Sequence, residues 1–155
     1  MKKQSGFTAI EMMVSVAILA ILVGIGIPSL RLLIQSMQIS AVTNDVVSTL
    51  QVARSEAVKR GVPVTVCSSN NQATCSGGWI DGWVVRDNAA AANPPFRVWP
   101  ATRAGVGIVV GGAVEFNALG GVTNAQCFQI TLDTLTRFVG VGPSGRVASS
   151  NVACP

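Results

Sequence analysis

A long apolar segment near the start of the chain most limits how this sequence can fold. It covers residues 7–30, and Glu11 is its only ionisable side chain. Because a transmembrane helix needs roughly 20 apolar residues, the segment is long enough to cross a bilayer. A charged side chain inside a membrane is costly unless it has a partner, so we expect Glu11 to be functional.

A short basic leader precedes the apolar segment. It contains Lys2 and Lys3 and ends at Gly6. The leader, the glycine, the following phenylalanine, the acid and the apolar segment together resemble the class III signal of type IV pilins and pseudopilins. The resemblance implies that a prepilin peptidase cuts after Gly6 and that the new N-terminal residue, Phe7, is methylated. The sequence departs from the family pattern at Ala9, where leucine is usual, which is a mild change of bulk.

An ordinary secretory signal peptide is the alternative interpretation of this segment. Such a peptide has a shorter apolar core that is followed by a small-x-small cleavage site. No such site is obvious after Leu30, and Glu11 would be out of place in a signal core. The positive leader is expected to keep the N-terminus cytoplasmic. We therefore expect a single-pass inner-membrane protein with its head in the periplasm, which later enters a pilus at the cell surface.

The helical pattern continues beyond the apolar segment. Between residues 30 and 57, apolar side chains recur in steps of three and four, which describes one face of a helix. Gly61 and Pro63 are predicted to end this helix. Pro28 is predicted to bend it, because a proline inside a helix removes a hydrogen bond and clashes with the preceding turn.

These signals divide the chain into four predicted parts. They are a leader at 1–6, a transmembrane and filament-core helix at 7–30, an amphipathic helix of the head at 31–60, and a β-rich globular head at 61–155. At this size the head can form only a modest core, so covalent crosslinks would help it.

Short β-like runs separated by turn residues follow the helix. Strands are predicted at 64–67, around Trp79 and 83–85, and at 96–99, 106–110, 113–116, 127–132, 135–141 and 146–147. Asp81-Gly82 indicates a bulge or a tight turn. The pairs Gly111-Gly112 and Asp133-Thr134 each predict a two-residue β-hairpin. The predicted fold class is α+β, a type IV pilin-like fold in which the long helix packs on one mostly antiparallel sheet.

Four cysteines lie in the predicted head: Cys67, Cys75, Cys127 and Cys154. The chain has no histidine and no CxxC pair, so no metal site is expected. An exported head would reach an oxidising compartment, where two disulfides are the default. Three pairings are possible. We favour Cys67–Cys75 with Cys127–Cys154, because each closes a local loop and the second ties down the C-terminal tail.

No catalytic arrangement is visible in the sequence. Without histidine, a Ser-His or Cys-His pair is excluded, and the acidic residues are scattered along the head. We therefore predict a structural protein that is not an enzyme and has no cofactor. The formal net charge of +4 includes Lys2 and Lys3, which would leave with the leader, so it is weak evidence for a nucleic-acid partner.

Glu11 is expected to pair with the free amine of Phe7, in its own chain or in a neighbouring subunit. Each charge is costly alone in an apolar helix bundle, and pairing offsets part of that cost. A subunit one step out of place would leave both charges unpaired, so the contact would set the register. The resemblance to pilins implies that this salt bridge guides insertion of a new subunit into a filament.

A second set of residues resembles the GspH/FimT family within the pilin-like proteins. Residues 50–60, LQVARSEAVKR, are similar to the LQxARSEAIxR stretch of that family. The family pattern is also matched by Cys67, Cys75, Trp79, Gly82, Trp83 and Asp87, and by the closing Gly145, Arg146, Val147 and Cys154. The arrangement of four cysteines most resembles the FimU-type minor pilins, which prime type IV pilus assembly in a complex at the tip. The resemblance implies four kinds of partner: other minor pilins, the major pilin, prepilin peptidase and the inner-membrane assembly platform.

Two alternatives stay open. FimT-like DNA receptors of natural transformation carry a GRxR motif whose arginines contact phosphate. Arg146 matches the first arginine, but Ala148 takes the place of the second, and one missing cation would weaken phosphate binding. A type II secretion pseudopilin is the other alternative, because it shares the signal and the helix, although the cysteine-stapled head favours a pilus.

Overall fold

The computed structural model describes residues 8–88 and 93–154, with only the backbone described at Pro28. The expected cleavage site at Gly6 and Phe7 lies outside these residues. The chain forms two compact units, Met1–Ser36 and Met37–Pro155. One helix, α1 (Ala9–Arg60), contributes to both.

In the first unit, α1 is an apolar helix whose side chains described between residues 9 and 34 are all exposed. The most apolar 18-residue window has a mean hydropathy of 2.5, and the helix is long and apolar enough to cross a membrane. The helical backbone continues through Pro28. The bend expected at this proline stays a prediction.

In the second unit, α1 is amphipathic. Its buried apolar side chains are spaced by three and four residues, as one face of a helix requires, and they are Ile39, Val42, Val46, Leu50, Ala53 and Ala57. The helix ends where the sequence predicted. Gly61 has a φ of 66°, and its N–H donates to the carbonyl oxygen of Ala57 at 2.9 Å. In the last turn, Arg60 donates a hydrogen bond to Glu56, which holds the pKa of that carboxyl below its usual value.

The described part of the head contains two antiparallel sheets of four strands each. The strands are β1 (Val64–Ser68), β2 (Trp83–Asp87), β3 (Arg97–Trp99), β4 (Val106–Val109), β5 (Val114–Phe116), β6 (Gln126–Leu132), β7 (Leu135–Val141) and β8 (Val147–Ser150). The sheets are ordered β3-β2-β1-β5 and β4-β6-β7-β8. The predicted α+β, pilin-like fold class is confirmed, but the strands form two sheets where one was expected.

One of the two predicted hairpins is wrong. β4 and β5, on either side of Gly111-Gly112, do not pair with each other: β4 pairs with β6, and β5 pairs with β1. The two glycines instead carry the chain from one sheet to the other. The other hairpin is correct, because Leu132 pairs with Leu135 and Asp133 takes the positive φ of 53° that a tight turn requires.

The region around Trp79 also differs from the prediction of a strand. Residues Trp79–Asp81 form a single 3₁₀ turn. The side chain of Asp81 accepts a hydrogen bond from the Gly78 N–H at 2.9 Å, which stabilises the turn. Gly82 follows with a φ of 116° and lies so close to the carbonyl oxygen of Trp99 that an added Cβ would sit 2.5 Å from it. Strand β2 begins only after this turn.

The core of the head is a single cluster shared by α1 and both sheets. Its largest fully buried side chains include Phe116 of the first sheet and Phe128 of the second. Trp79 contacts Phe128 edge to face, with ring centroids 5.0 Å apart. The indole N–H of Trp83 donates to the hydroxyl of Thr49 at 2.8 Å, which satisfies a buried donor and links the first sheet to the helix.

Candidate functional site

Glu11 lies in the first turn of α1, where its carboxylate points back towards the chain start. One carboxylate oxygen accepts hydrogen bonds from the backbone N–H and the hydroxyl of Thr8, both at 2.8 Å. In return, the Thr8 hydroxyl accepts a bond from the Glu11 N–H at 3.3 Å. The pair therefore forms a capping box, which satisfies donors that the helix start leaves free. The signal for it, Thr-x-x-Glu, is present in the sequence and was missed in the sequence analysis.

The surroundings of Glu11 are apolar and exposed. Ile10, Met12, Met13 and Val14 are each at least half exposed. The carboxylate also lies at the positive end of the helix dipole, which favours a negative charge there. The expected partner, the amine of Phe7, would belong to the residue directly before Thr8, and that residue lies outside the described part.

The four cysteines form two disulfides, Cys67–Cys75 and Cys127–Cys154, and these are the pairings that the sequence analysis favoured. The first closes the polar loop that follows β1. The second joins the start of β6 to the C-terminal tail beyond β8. Gly140 of β7 lies against this bond, since an added Cβ there would be 3.2 Å from the Cys154 sulfur.

Arg146 is exposed and lies directly after a tight turn between β7 and β8. The turn is closed by a hydrogen bond from the Gly145 N–H to the carbonyl oxygen of Gly142 at 2.8 Å. Arg146 lines an open groove of about 470 Å³ together with the Cys127–Cys154 disulfide. The structure thus brings two of the predicted sites to one surface, which the sequence spacing did not indicate.

Among the described residues, Arg146 is the only cation that lines this groove. Arg54 donates to the carbonyl oxygen of Ser144 at 3.2 Å, so it supports the turn from the helix side. The guanidinium carbon of Arg97 lies 5.9 Å from the ring centroid of Trp99, which is on the same strand. Arg103 is exposed, whereas Arg137 is only half-exposed and lies in β7.

Two kinds of polar feature stand out in residues 8–88 and 93–154. No group of three or more His, Cys, Asp or Glu side chains in this part is arranged to hold a metal ion. The features that stand out are a capped carboxylate at the start of an apolar helix and a disulfide-bonded head that carries isolated arginines.

Comparison with known proteins identifies the family. Residues 42–150 match the family model described as type II transport protein GspH, and residues 1–27 match the prokaryotic N-terminal methylation motif. No curated protein gives a significant sequence match.

Solved structures show the same fold at low sequence identity. The type IV minor pilin FimU of Pseudomonas aeruginosa is 18% identical, with a TM-score of 0.63 over 77% of this chain and 94% of that one. The minor pseudopilin EpsH of the type 2 secretion system of Vibrio cholerae is 10% identical, with a TM-score of 0.54 over 73% of this chain and 96% of that one. The family model covers most of the chain, so the protein belongs to the GspH family, and it shares the fold of type IV minor pilins and minor pseudopilins.

Proposed function

We propose that this protein is a minor pilin that primes or caps the assembly of a type IV pilus within a complex of minor pilins. Before assembly, the first part of α1 holds it in the inner membrane with the head in the periplasm. A prepilin peptidase cuts between Gly6 and Phe7, and the new N-terminus is methylated. The role is structural, and the other pilins and the assembly platform are its partners.

The position of Glu11 is the main observation that supports this proposal. Its carboxylate bonds to the N–H of Thr8, so it already lies beside the residue that cleavage would make the chain start. A free amine one residue earlier, or the amine of an adjacent subunit, would meet a pre-positioned acid. In an apolar helix bundle an unpaired charge is costly, so the pair would favour subunits that insert in register.

The capping role of Glu11 offers a simpler explanation, and two substitutions separate the two roles. Glutamine can take the place of glutamate in a capping box, but it carries no charge. We expect Glu11→Gln and Glu11→Ala to abolish pilus formation equally in a strain that lacks the wild-type protein. Pili are counted by electron microscopy, and other pilins are measured after co-isolation from membranes. Normal piliation with Glu11→Gln would show that capping alone matters, and would reject assembly through the charge.

Ser15→Ala is the matched control for these variants. The Ser15 hydroxyl donates to the Glu11 carbonyl oxygen at 2.7 Å, so this change alters the same helix turn without removing a charge. We expect normal pilus numbers in this variant. Mass spectrometry of the membrane-extracted chain tests the processing step, because the proposal requires a start at Phe7 that carries one added methyl group.

DNA binding is the second candidate, because Arg146 is exposed and its side chain has no partner within the described residues. A gel-shift titration of the detergent-solubilised full chain with a short DNA duplex tests it at low and at physiological salt. The candidate requires affinity that falls with salt, because phosphate binding releases counterions. It also requires that Arg146→Gln lowers the affinity for DNA and that Arg103→Gln does not. Equal affinity of the two variants, or no binding at low salt, removes it.

A further inference from the structure

The inner face of the second sheet carries one arginine in an otherwise apolar row. Alternate residues of a strand share a face, so Arg137 of β7 lies on the same face as Val139 and Val141, which are 0% and 1% exposed. Its partner across the ladder is Ile130 of β6, which is fully buried. This is the face that packs in the core together with α1.

Arg137 lines a small cavity of about 180 Å³ that is open to solvent at the edge of this interface. Ser40, Thr43 and Asn44 of α1 form one wall, and Ser149 of β8 forms part of the other. Ser149 pairs with Val139 across the ladder, so it lies on the same face of the sheet, but at this edge strand its side chain is exposed. The cavity wall is thus polar where the rest of the interface is apolar.

The polar groups of this cavity are largely unused by the chain itself. The Thr43 hydroxyl donates to the carbonyl oxygen of Ile39 at 2.7 Å. The side chains of Ser40, Asn44, Ser149 and Arg137 have no hydrogen-bond or ion-pair partner in residues 8–88 and 93–154. A guanidinium carries five N–H donors in a planar fork and remains charged at all ordinary pH values.

A partly buried arginine without an acid adds no ion pair to the fold. Withdrawing a charge from water costs free energy that only a partner offsets, and an apolar side chain of similar volume would complete the row without that cost. The cation therefore contributes little to folding, and its guanidinium remains available to a group from outside the chain.

We propose that the Arg137 cavity binds a carboxylate, presented by an aspartate or glutamate side chain of a neighbouring subunit. A carboxylate accepts two parallel hydrogen bonds from a guanidinium, and the hydroxyls and the amide around it supply further donors. One carboxylate neutralises the one cation, and the cavity has room for the end of an acidic side chain. A DNA strand fits less well, because polyanion binding uses several cations in line. The identity of the partner rests on the proposed function; the site itself does not.

Titration with sodium acetate tests the site, using the ¹⁵N-labelled full chain in non-ionic detergent micelles. Sodium chloride keeps the ionic strength constant, so that screening does not change. We expect saturable shifts of the Arg137 side-chain Nε–H signal and of the Ser149 amide, with a dissociation constant on the order of 10 mM. The Ser149 shift should be lost in Arg137→Met and should persist in Arg103→Met, which removes an exposed cation elsewhere on the head.

Three results would overturn the proposal. They are shifts that do not saturate, equal Ser149 shifts in Arg137→Met and the wild type, and saturation by sodium phosphate but not by acetate. The last would assign the cavity to phosphate. Failure here is distinct from failure of the proposed function. A strain in which piliation depends on Glu11 while acetate shows no saturation would reject the cavity and keep the minor-pilin role.

Discussion

At the residue scale, Gly145 shows how one backbone position determines the turn that presents Arg146. Its φ is 74°, a left-handed conformation that side chains with a Cβ rarely adopt. An added Cβ would lie 1.8 Å from the carbonyl oxygen of Gly120 and 3.1 Å from the Arg54 guanidinium. The loop before β6, the helix and the β7–β8 turn therefore meet at a point where only glycine fits.

Gly145→Ala is predicted to destabilise the head. The left-handed conformation alone costs about 1–2 kcal/mol for alanine, and the contact with the Gly120 backbone adds to it, so we expect a loss of at least about 2 kcal/mol. Thermal unfolding in detergent, followed by tryptophan fluorescence, measures it. Gly142→Ala in the same turn is the control, because its added Cβ would meet nothing closer than 4.0 Å. Equal losses in the two variants would contradict the prediction.

The hydrogen bond between Trp83 and Thr49 gives a second prediction at this scale. Thr49→Val keeps the side-chain shape but leaves the buried indole N–H without an acceptor, which costs about 1–3 kcal/mol. Thr43→Val is a close match, because both threonines are buried and both donate to the carbonyl four residues earlier. Only Thr49 also accepts a bond from a tryptophan. Unfolding midpoints of the two variants should differ, with Thr49→Val lower; equal midpoints would show that the indole contact contributes nothing.

At the element scale, strand β8 depends on a covalent bond for its stability. It lies at the edge of its sheet, pairs with β7 alone, and has a mostly exposed burial pattern. Little apolar burial holds it, so a strand of this kind is expected to fray. The Cys127–Cys154 bond joins the tail just beyond β8 to the start of β6, two strands away in the sheet.

Removal of this disulfide is predicted to loosen β8 selectively. In Cys127→Ala/Cys154→Ala we expect a loss of about 2–4 kcal/mol in global stability. We also expect faster hydrogen exchange at the β8 amides than global unfolding alone would produce. Cys67→Ala/Cys75→Ala is the matched variant. In it, hydrogen exchange at the β8 amides should rise only as much as the loss of global stability predicts. A uniform rise in exchange across both sheets of the first variant would show that β8 needs no separate anchor.

The strands were largely predictable from the sequence, whereas their partners were not. The predicted strands at 106–110 and 113–116 match β4 and β5, in which the alternate residues Val106, Ile108, Val114 and Phe116 are buried. Alternation fixes which side chains face the core, but it contains no information on which strand lies beside which. The Gly111-Gly112 pair is compatible with a hairpin and equally with a crossing between sheets. In the structure, β4 pairs with β6 and β5 pairs with β1, and the inner faces of both sheets share one core.

At the scale of the whole molecule, the sequence indicated the proposed assembly residue, Glu11, more clearly than the proposed carboxylate site on the head. Glu11 stands out because it is the only charge in residues 9–30, a property of the sequence itself. Arg137 does not stand out, since its position in an apolar row becomes visible only when Ile130 and Ser149 are brought beside it by strand pairing. A site within one helix can be recognised from the sequence, because its residues are close along the chain. A site between strands and a helix cannot, because its residues come together only in the fold.

The two units also make a joint prediction, because the first is proposed to deliver the second to an oxidising compartment. Two arginines near the middle of the apolar segment, Leu19→Arg/Leu22→Arg, raise the free energy of membrane insertion by roughly 6 kcal/mol. Without insertion the head would stay among reducing thiols, where disulfides do not persist. All four cysteines should then react with a maleimide reagent under non-reducing conditions, whereas in the wild type both disulfides leave none free.

Leu19→Ala/Leu22→Ala is the control. This variant should remain in the membrane pellet, and its cysteines should not react because they are in disulfides. An arginine variant whose cysteines stayed fully oxidised in cells would show that the head reaches its disulfides by a route other than this helix.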